Sequence, residues 1–127
     1  MTEITISVGL NDAVTKRQEF QTEMYVDVMK YVCQNHHVPF SFIVSEGGYF
    51  HENGDYTQEK TLVICLIDPE KGVADSIARD LCFLFHQESV LITESKVRAY
   101  YIKDKRKYSG LTRLSRLFTM QKKQSAT

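Results

Sequence analysis

The chain has 127 residues and a formal net charge of zero, with 43% hydrophobic and 25% charged residues. This length predicts a single domain, and the composition is typical of a globular protein rather than a disordered one. No stretch approaches the roughly 20 apolar residues of a membrane span, and no signal-peptide pattern is present, so we expect a cytoplasmic protein without a membrane partner. Three cysteines lie in apolar periodic segments, which predicts buried thiols rather than disulfides.

Charge is divided unevenly along the chain. Residues 103–127 contain eight Lys/Arg and one Asp, a net charge of +7, whereas residues 1–102 contain eight Lys/Arg and fifteen Asp/Glu, a net charge of −7. A local cationic segment attracts phosphate and other anions. A solvated tail, or a tail docked on the acidic body, would explain the same asymmetry, and the sequence leaves these alternatives open. We therefore predict two parts, a domain over residues 1–102 and a basic extension over 103–127.

The first predicted elements are a strand and a helix. Isoleucine and valine alternate with polar residues over positions 4–8, which is the period of a half-buried strand. Candidate helix caps follow at Asn11, Asp12 and Thr15. Beyond them, apolar side chains recur at a spacing of four: Phe20, Met24, Val28 and Val32. This spacing predicts an amphipathic helix whose apolar stripe faces the core and which ends near the polar residues 34–37.

The second half of the domain is predicted to contain three strands and another helix. Residues 40–68 are typical of two strands joined by a hairpin, because Asn53-Gly54 is a strong turn signal. A helix is predicted over 73–86, with its core side formed by Ala74, Ile77, Ala78, Leu81, Leu84 and Phe85. Phe83 falls about 120° from Ile77 around this helix, so we expect an exposed phenylalanine. A fourth strand is predicted near 96–102.

This order of elements predicts an α+β fold: a ferredoxin-like four-stranded antiparallel sheet with two helices on one face and a C-terminal amphipathic extension. The second sheet face is then uncovered, and part of it is expected to be apolar through Phe42, Ile64, Leu66 and Tyr100. Burial of that face by a second copy, or by the C-terminal segment, would remove the exposed apolar surface. We therefore expect a homo-oligomer, at least a dimer.

Motifs for catalysis and metal binding are weak in this sequence. Cys82 and His86 are one helical turn apart and could form a nucleophile pair, but no third residue orients the histidine. His36, His37 and His51 lack the spacing of a metal site. We therefore predict no catalytic residue, no metal, no cofactor and no enzymatic activity. An enzyme that acts through Cys82 or His86 is left open as a minor alternative.

The basic extension is predicted to contain a short amphipathic helix after a break at 108–110. One side of that helix is apolar, with Leu111, Leu114, Leu117 and Phe118. Arg113 and Arg116 lie one turn apart, with Thr112 and Ser115 beside them. Guanidinium and hydroxyl groups together bind phosphate oxygens, particularly those of a pyrophosphate. Aromatic side chains that could stack on a purine are Phe83, Tyr108 and Tyr49. A helix whose arginines only face water remains open.

Two segments resemble a group of small ferredoxin-like proteins. Residues 48–59 combine a Gly-aromatic pair, Gly54 and Glu59 in a hairpin, and residues 87–90 have the sequence Gln-Glu-Ser-Val after the second helix. With the start ITISVGLND and the basic extension, the chain resembles the phage anti-Thoeris sponge family. These proteins bind and hide the cyclic ADP-ribose signals made by bacterial TIR-domain defence enzymes. The resemblance covers roughly residues 4–102, and the extension matches only in character.

The resemblance implies a non-enzymatic sponge that sequesters a cyclic ADP-ribose-type nucleotide between subunits and blocks TIR-based antiphage defence. Phe83 would stack on the base, and Arg113 with Arg116 would bind the diphosphate, although Arg106 or Arg98 could replace either arginine. Weaker polar candidates are Asn11, Gln87 and Thr93. The alternative is an inhibitor that binds nucleic acid or an acidic protein through the basic extension. The acidic body makes a broad nucleic-acid face improbable.

Overall fold

The computed structural model describes residues 1–105 and 112–126, with side chains in the second range described for residues 114 and 116–122. It contains four strands and three helices in the order β1 (Thr2–Gly9), α1 (Thr22–Asn35), β2 (Ser41–Phe50), β3 (Tyr56–Ile67), α2 (Val73–Leu84), β4 (Leu91–Lys96) and α3 (Thr112–Ala126). The strands form one antiparallel sheet in the order β2-β3-β1-β4. This confirms the predicted α+β ferredoxin-like architecture with a helix in the C-terminal extension.

The register of the sheet decides which side chains share a face. Ile6 of β1 pairs with Ile64 of β3 and with Ile92 of β4. β2 pairs with β3 along its whole length, from Ser41 opposite Cys65 to Phe50 opposite Tyr56. Because side chains alternate along a strand, every second residue of each strand points toward α1 and α2.

The hydrophobic core lies between this sheet face and the two helices. Its fully buried side chains are Ile6, Val8, Leu10, Met29, Cys33, Leu62, Ile64, Leu66, Ile77 and Leu81. Burial of each large aliphatic side chain contributes about 1.5–3 kcal/mol relative to its exposure. Ile64 and Leu66 are therefore core residues, and Phe42, which pairs with Ile64, packs against the same core. The prediction that these three lie on the uncovered face is wrong. It assigned the alternating residues of these strands to the wrong faces of the sheet.

The outer face of the sheet, which neither α1 nor α2 covers, mixes apolar and hydroxyl side chains. Val63 pairs with Ile43 and with Ser7, and Ser7 also pairs with Leu91. Ile43 and Leu91 are each 62% exposed. Residues other than those predicted thus make this face partly apolar. The homo-oligomer stays a prediction.

Helix α1 differs from its prediction in its start and in its buried side. Asp12 does act as a cap, since the N–H groups of Val14 and Thr15 donate to its Oδ1 at 2.8 and 3.1 Å, but the chain forms only a turn there. The helix begins at Thr22 and buries Tyr25, Met29, Val32 and Cys33. By contrast Phe20, Met24 and Val28 are 58%, 51% and 37% exposed. Of the four residues at this spacing, only Val32 lies on the core side of α1, and the other three form an uncovered flank.

The other elements shift by a few residues from their predictions. Helix α2 ends at Leu84, and Phe83 is 79% exposed, as expected. Leu84 was expected in the core but is half exposed, because it is the last helical residue. Strand β4 occupies residues 91–96 rather than 96–102, since β1 offers partners only as far as Lys96. Residues 98–105 are described without helix or strand.

All three cysteines are free thiols. Cys33 is buried, which confirms its prediction, and burial raises the pKa of its thiol to about 11. Cys65 and Cys82 are only partly buried. None of the helices described is long and apolar enough to span a bilayer.

Candidate functional site

A polar cleft of about 440 Å³ opens where β1 ends and where β3 and β4 begin. We call it the polar cleft. Its lining combines the outer face of the sheet, the turn after β1 and the loop after α2: Ser7, Gly9, Asn11, Asp12, Ala13, Lys16, Tyr49, Glu59, Thr61, Gln87, Glu88, Ser89 and Leu91. The volume is within the range of about 300–1,000 Å³ that small-molecule sites have.

The turn after β1 is fixed to the rest of the cleft by hydrogen bonds around Asn11. The Asn11 backbone N–H donates to Glu59 Oε2 at 3.1 Å, and its side-chain Nδ2 donates to the Gln58 carbonyl at 3.1 Å. Gln87 Nε2 donates to the Asn11 carbonyl at 2.7 Å. In addition, the Ala13 N–H donates to the His86 carbonyl at 2.9 Å. These bonds join three separate segments, so the cleft is largely formed before any ligand binds.

Glu59 lies unusually close to the backbone of β1. A Cβ atom at Gly9 would be 2.6 Å from the Glu59 Cδ and Oε2 atoms, whereas ordinary contact begins at 3.4 Å. Only glycine therefore leaves space for the carboxylate in its present position. Gly9 and the Asn11 N–H together hold one Glu59 oxygen and orient the group at the cleft wall.

The polar cleft is acidic. Among the described residues, three carboxylates line it, those of Asp12, Glu59 and Glu88, against one ammonium group, that of Lys16. Hydrogen bonds from the Thr15 and Val14 N–H groups lower the pKa of Asp12. Because hydrogen bonds to a carboxylate favour its ionised form, Asp12 carries its charge at neutral pH. A cation is thus a better fit to this cleft than an anion.

Tyr49 supplies an aromatic surface at the edge of the cleft. Its ring meets the His51 ring edge-on, with centroids 5.0 Å apart and planes at 67°. His51 is itself held by Thr57, with 2.6 Å between Nε2 and Oγ1. Tyr49 remains 40% exposed, so part of its ring is accessible to a ligand.

Of the residues predicted as a binding site, Asn11, Gln87 and Tyr49 come together at the polar cleft, and the other described ones do not. Asn11 and Gln87 both line the polar cleft and are hydrogen-bonded to each other. Phe83 is exposed on α2 and is not part of the cleft lining. Arg116 is exposed on α3, and Arg98 lies over the Tyr100 ring, 5.0 Å from its centroid.

The other predicted residues are only partly covered by the structure. Thr112, Arg113 and Ser115 belong to the backbone of α3, and their side chains are outside the described set. Arg106 and Tyr108 lie outside the described residues. The diphosphate site built on these residues stays a prediction.

The weaker catalytic and metal candidates are each engaged separately. Cys82 Sγ donates to the Gln87 carbonyl at 3.1 Å, and His86 Nδ1 lies 3.2 Å from Asp12 Oδ2, so they do not form a pair. His36 Nε2 lies 3.2 Å from Asp80 Oδ2. Among the described residues there is no cluster of three or more His, Cys, Asp or Glu that could hold a metal ion.

Sequence reasoning missed most of the cleft. Asn11, Gln87 and Tyr49 were predicted as binding candidates, but Glu59, Glu88 and Ser89 were predicted only as parts of the two resembling segments, and Gly9 was not predicted to contribute. The β1–β3 register brings them together, because Gly9 pairs with Thr61 and so lies beside Glu59. A glycine at the end of an otherwise β-branched strand was the available signal.

Comparisons with known proteins identify the fold. No protein-family model matches the sequence, and no curated protein sequence is significantly similar to it. Two solved structures of a phage SAM lyase, one in complex with S-methyl-5'-thioadenosine and one in the apo state, match with TM-scores of 0.59 and 0.60. Their sequences are 24% and 23% identical to this chain. The alignments cover 75% and 74% of this chain and 80% and 78% of the lyase chains. The chain has the fold of this phage lyase.

The comparison corrects one prediction and supports another in part. The prediction that the chain is not an enzyme is contradicted, because both structures are of an enzyme. Its reasoning was too narrow, since the absence of nucleophile and metal motifs excludes only those chemistries. The resemblance to a phage protein is supported at the level of the fold. Cyclic ADP-ribose binding and the nucleic-acid alternative stay predictions.

Proposed function

We propose that the chain binds S-adenosylmethionine (SAM) in the polar cleft and cleaves it to S-methyl-5'-thioadenosine. The observation that carries this proposal is an acidic cleft on a fold shared with a phage SAM lyase. SAM bears a sulfonium and an ammonium charge against a single carboxylate, so its net charge is positive. Two opposite charges 4 Å apart attract by about 4 kcal/mol at the effective dielectric near a protein surface.

The uncharged side of the polar cleft fits the adenosine part. Gln87 Nε2 donates to the carbonyls of Asn11 and Phe85, at 2.7 and 3.2 Å, which uses both of its hydrogens. Its Oε1 is left as an acceptor, which suits the exocyclic amine of adenine. Tyr49 offers a ring face for the base, and stacking of a base on an aromatic side chain is worth about 1–3 kcal/mol. Hydroxyl groups for the sugar are present in Ser89 and Thr61.

The proposed cleavage balances without a further reactant. Release of S-methyl-5'-thioadenosine breaks the bond between sulfur and Cγ of the aminobutyrate part, and sulfur keeps the electron pair to become a neutral thioether. In the step that we propose, no water is added, and the carboxylate of the same SAM molecule forms the new bond to Cγ and closes a lactone; elimination of a Cβ proton would instead need a base. No proton is gained or lost in this step. The chain therefore contributes binding, orientation and exclusion of water rather than an acid or a base.

The charges that change in this reaction determine where a carboxylate of the protein can bind SAM without slowing its cleavage. The sulfonium charge disappears during the reaction, so a carboxylate beside sulfur would stabilise the substrate more than the transition state. The ammonium charge is unchanged, so a carboxylate beside it stabilises both equally. In this proposal Glu59, which is fixed by Gly9 and by the Asn11 N–H, holds the ammonium group.

A cyclic ADP-ribose-type ligand fits the polar cleft less well. Such a ligand carries two phosphate charges, which the carboxylates of Asp12, Glu59 and Glu88 would repel. Among the residues that the structure describes, Lys16 is the one cationic side chain in the lining. The same charge argument disfavours a nucleic-acid backbone in this cleft.

The predicted homo-oligomer is part of the proposal. Leu91 belongs both to the outer face of the sheet and to the lining of the polar cleft, and it is 62% exposed. A second copy packed on that face would bury Leu91 and Ile43 and would close one side of the cleft against water.

The proposal is tested by incubating the purified chain with SAM and, separately, with cyclic ADP-ribose, and measuring substrate and products by mass spectrometry. We expect S-methyl-5'-thioadenosine to form in an amount equal to the SAM lost, and cyclic ADP-ribose to be recovered intact. Glu59→Gln, which removes the charge and keeps the shape, is the matched variant and should need a higher SAM concentration. Intact SAM together with no binding heat in calorimetry would overturn the proposal, and binding without conversion would overturn its catalytic half.

A further inference from the structure

A second surface of the chain, on the helix side, is apolar and uncovered. It is a groove of about 350 Å³ between the start of α1 and the end of α2, lined by Asp12, Glu19, Phe20, Met24, Tyr25, Val28, Leu84, Phe85 and His86. We call it the α1–α2 groove. Phe20, Met24 and Leu84 are each at least half exposed, at 58%, 51% and 50%. Large apolar side chains gathered in this way mark an interaction surface rather than scattered exposure.

Helix α3 carries the complementary surface. Leu114, Leu117 and Phe118 lie at positions i, i+3 and i+4, which places them on one side of the helix. Their exposed fractions are 56%, 56% and 78%. We call this set the α3 stripe. A 15-residue helix is marginally stable in water by itself, so α3 needs a surface on which to bury this stripe.

The charges of the two surfaces are opposite. Four basic residues and no acidic residue belong to α3. Of these, Arg116 and Lys122 have exposed side chains. Acidic residues are present in the groove and on α1: Asp12 and Glu19 line the groove, where Glu19 also contacts Arg17 at 3.3 Å, and Glu23 and Asp27 are exposed on α1. Opposite potentials favour encounter and set the orientation of docking more than they add affinity.

We infer that the α1–α2 groove is the docking site for helix α3 of a second copy of this chain. In a single copy the groove and the α3 stripe are both exposed, so the copy's own α3 does not fill the groove. Residues 97–111 join β4 to α3, and fifteen extended residues span up to about 50 Å, which is ample for reaching a neighbouring molecule. Reciprocal exchange of the two helices gives a closed dimer.

This docking is independent of the proposed SAM chemistry. The groove lies on the helix side of the sheet, whereas the polar cleft opens on its outer face. Asp12 lines both, so docking of α3 would also support the turn that forms one wall of the cleft.

The test is photo-crosslinking of the full chain with p-benzoylphenylalanine at position 118. Unlabelled and ¹⁵N-labelled protein are mixed in denaturant, refolded together and irradiated, and crosslinked peptides are identified by mass spectrometry. We expect crosslinks from position 118 to the peptide that contains Met24 and Val28, with a share of the pairs joining a labelled to an unlabelled peptide. The matched control carries the same probe at position 116, on the opposite side of α3, and should not link to the groove.

A second variant makes the result specific. Val28→Lys adds a charge at a position that is already 37% exposed, so it should leave the fold intact, and it should lower the crosslink yield about tenfold because the added charge would be buried without a partner and has the same sign as those of α3. Crosslinks that join only peptides of the same isotope would show docking within one copy and would overturn the inference. Crosslinks to another surface, or no crosslink at all, would overturn it as well.

Discussion

Gly9→Ala separates the function of the polar cleft from the stability of the fold. The added Cβ would lie 2.6 Å from the Glu59 carboxylate, and ordinary contact begins at 3.4 Å, so the carboxylate must move by about 0.8 Å. The group that moves is the far end of a flexible side chain, so the backbone is not forced to shift. Gly9 is also not at a positive φ, so alanine is not strained there. We therefore expect the melting temperature to change by at most a few degrees.

The effect on ligand binding should be much larger. Displacement of Glu59 moves its carboxylate away from the SAM ammonium group and so weakens the charge-assisted hydrogen bond proposed between them. A hydrogen bond to a charged group contributes about 1.5–3 kcal/mol, and 1.4 kcal/mol is tenfold in affinity. Gly9→Ala should thus weaken SAM binding roughly 10- to 100-fold.

Titration calorimetry and thermal unfolding on the same samples measure both effects. Gly47→Ala is the matched control, because Gly47 is also a strand glycine and a Cβ there would meet nothing within 4 Å. Wild-type affinity in Gly9→Ala would refute the assigned role of Glu59. Equal losses in the two variants would point to a general effect of strand glycines rather than to the cleft.

Four further outcomes follow from the structure. Glu59→Gln should raise KM for SAM at least tenfold with kcat nearly unchanged, because a carboxylate on the ammonium group stabilises substrate and transition state alike; a selective fall in kcat would contradict this. Cys33 should resist alkylation at pH 8 in the native chain and react only after unfolding, since burial raises its pKa to about 11; rapid native labelling, read by peptide mass spectrometry, would be inconsistent with it. Asp12 has a pKa lowered from 3.8, so its stabilisation is present above that pH and is lost as the pH falls through its folded-state pKa. Asp12→Ala should accordingly lower the melting temperature at pH 7 and lower it progressively less as the pH falls below 3.8, and an equal drop at every pH would argue against the ionised cap. Leu91→Lys should shift the chain toward a smaller assembly in light scattering, and an unchanged mass would count against packing through the outer face.

The fold was largely predictable because its strands and helices have the expected periods. Alternation over residues 4–8 gave β1, and Asn53-Gly54 gave the hairpin between β2 and β3, where Gly54 has a φ of 92°. Both signals are local, so no knowledge of tertiary contacts was needed. Local spacing was not sufficient in α1, where two different sets of apolar residues have the spacing of a helix. In α1, residues 24 and 28 have the same helical spacing as residues 25 and 29, and only packing against the sheet decides that the second pair is buried.

The polar cleft was harder to predict for a related reason. Gly9 and Glu59 are 50 positions apart, and their close approach depends on the β1–β3 register, which no short motif encodes. Asn11 and Gln87 were predicted as weaker polar candidates, but the expected ligand was a cyclic ADP-ribose-type nucleotide whose diphosphate is bound by arginines. The acidic character of the cleft becomes visible only when Asp12, Glu59 and Glu88, from three separate segments, are brought into one lining.

A crystal structure of the chain soaked with S-methyl-5'-thioadenosine tests the central claim most directly. Our account predicts the nucleoside in the polar cleft, with its base against Tyr49, its exocyclic amine at Gln87 Oε1 and its thioether on the side of Glu59. A nucleoside bound instead against Phe83 and the arginines of α3, with the cleft empty, would contradict the account and would favour the site first predicted from the sequence.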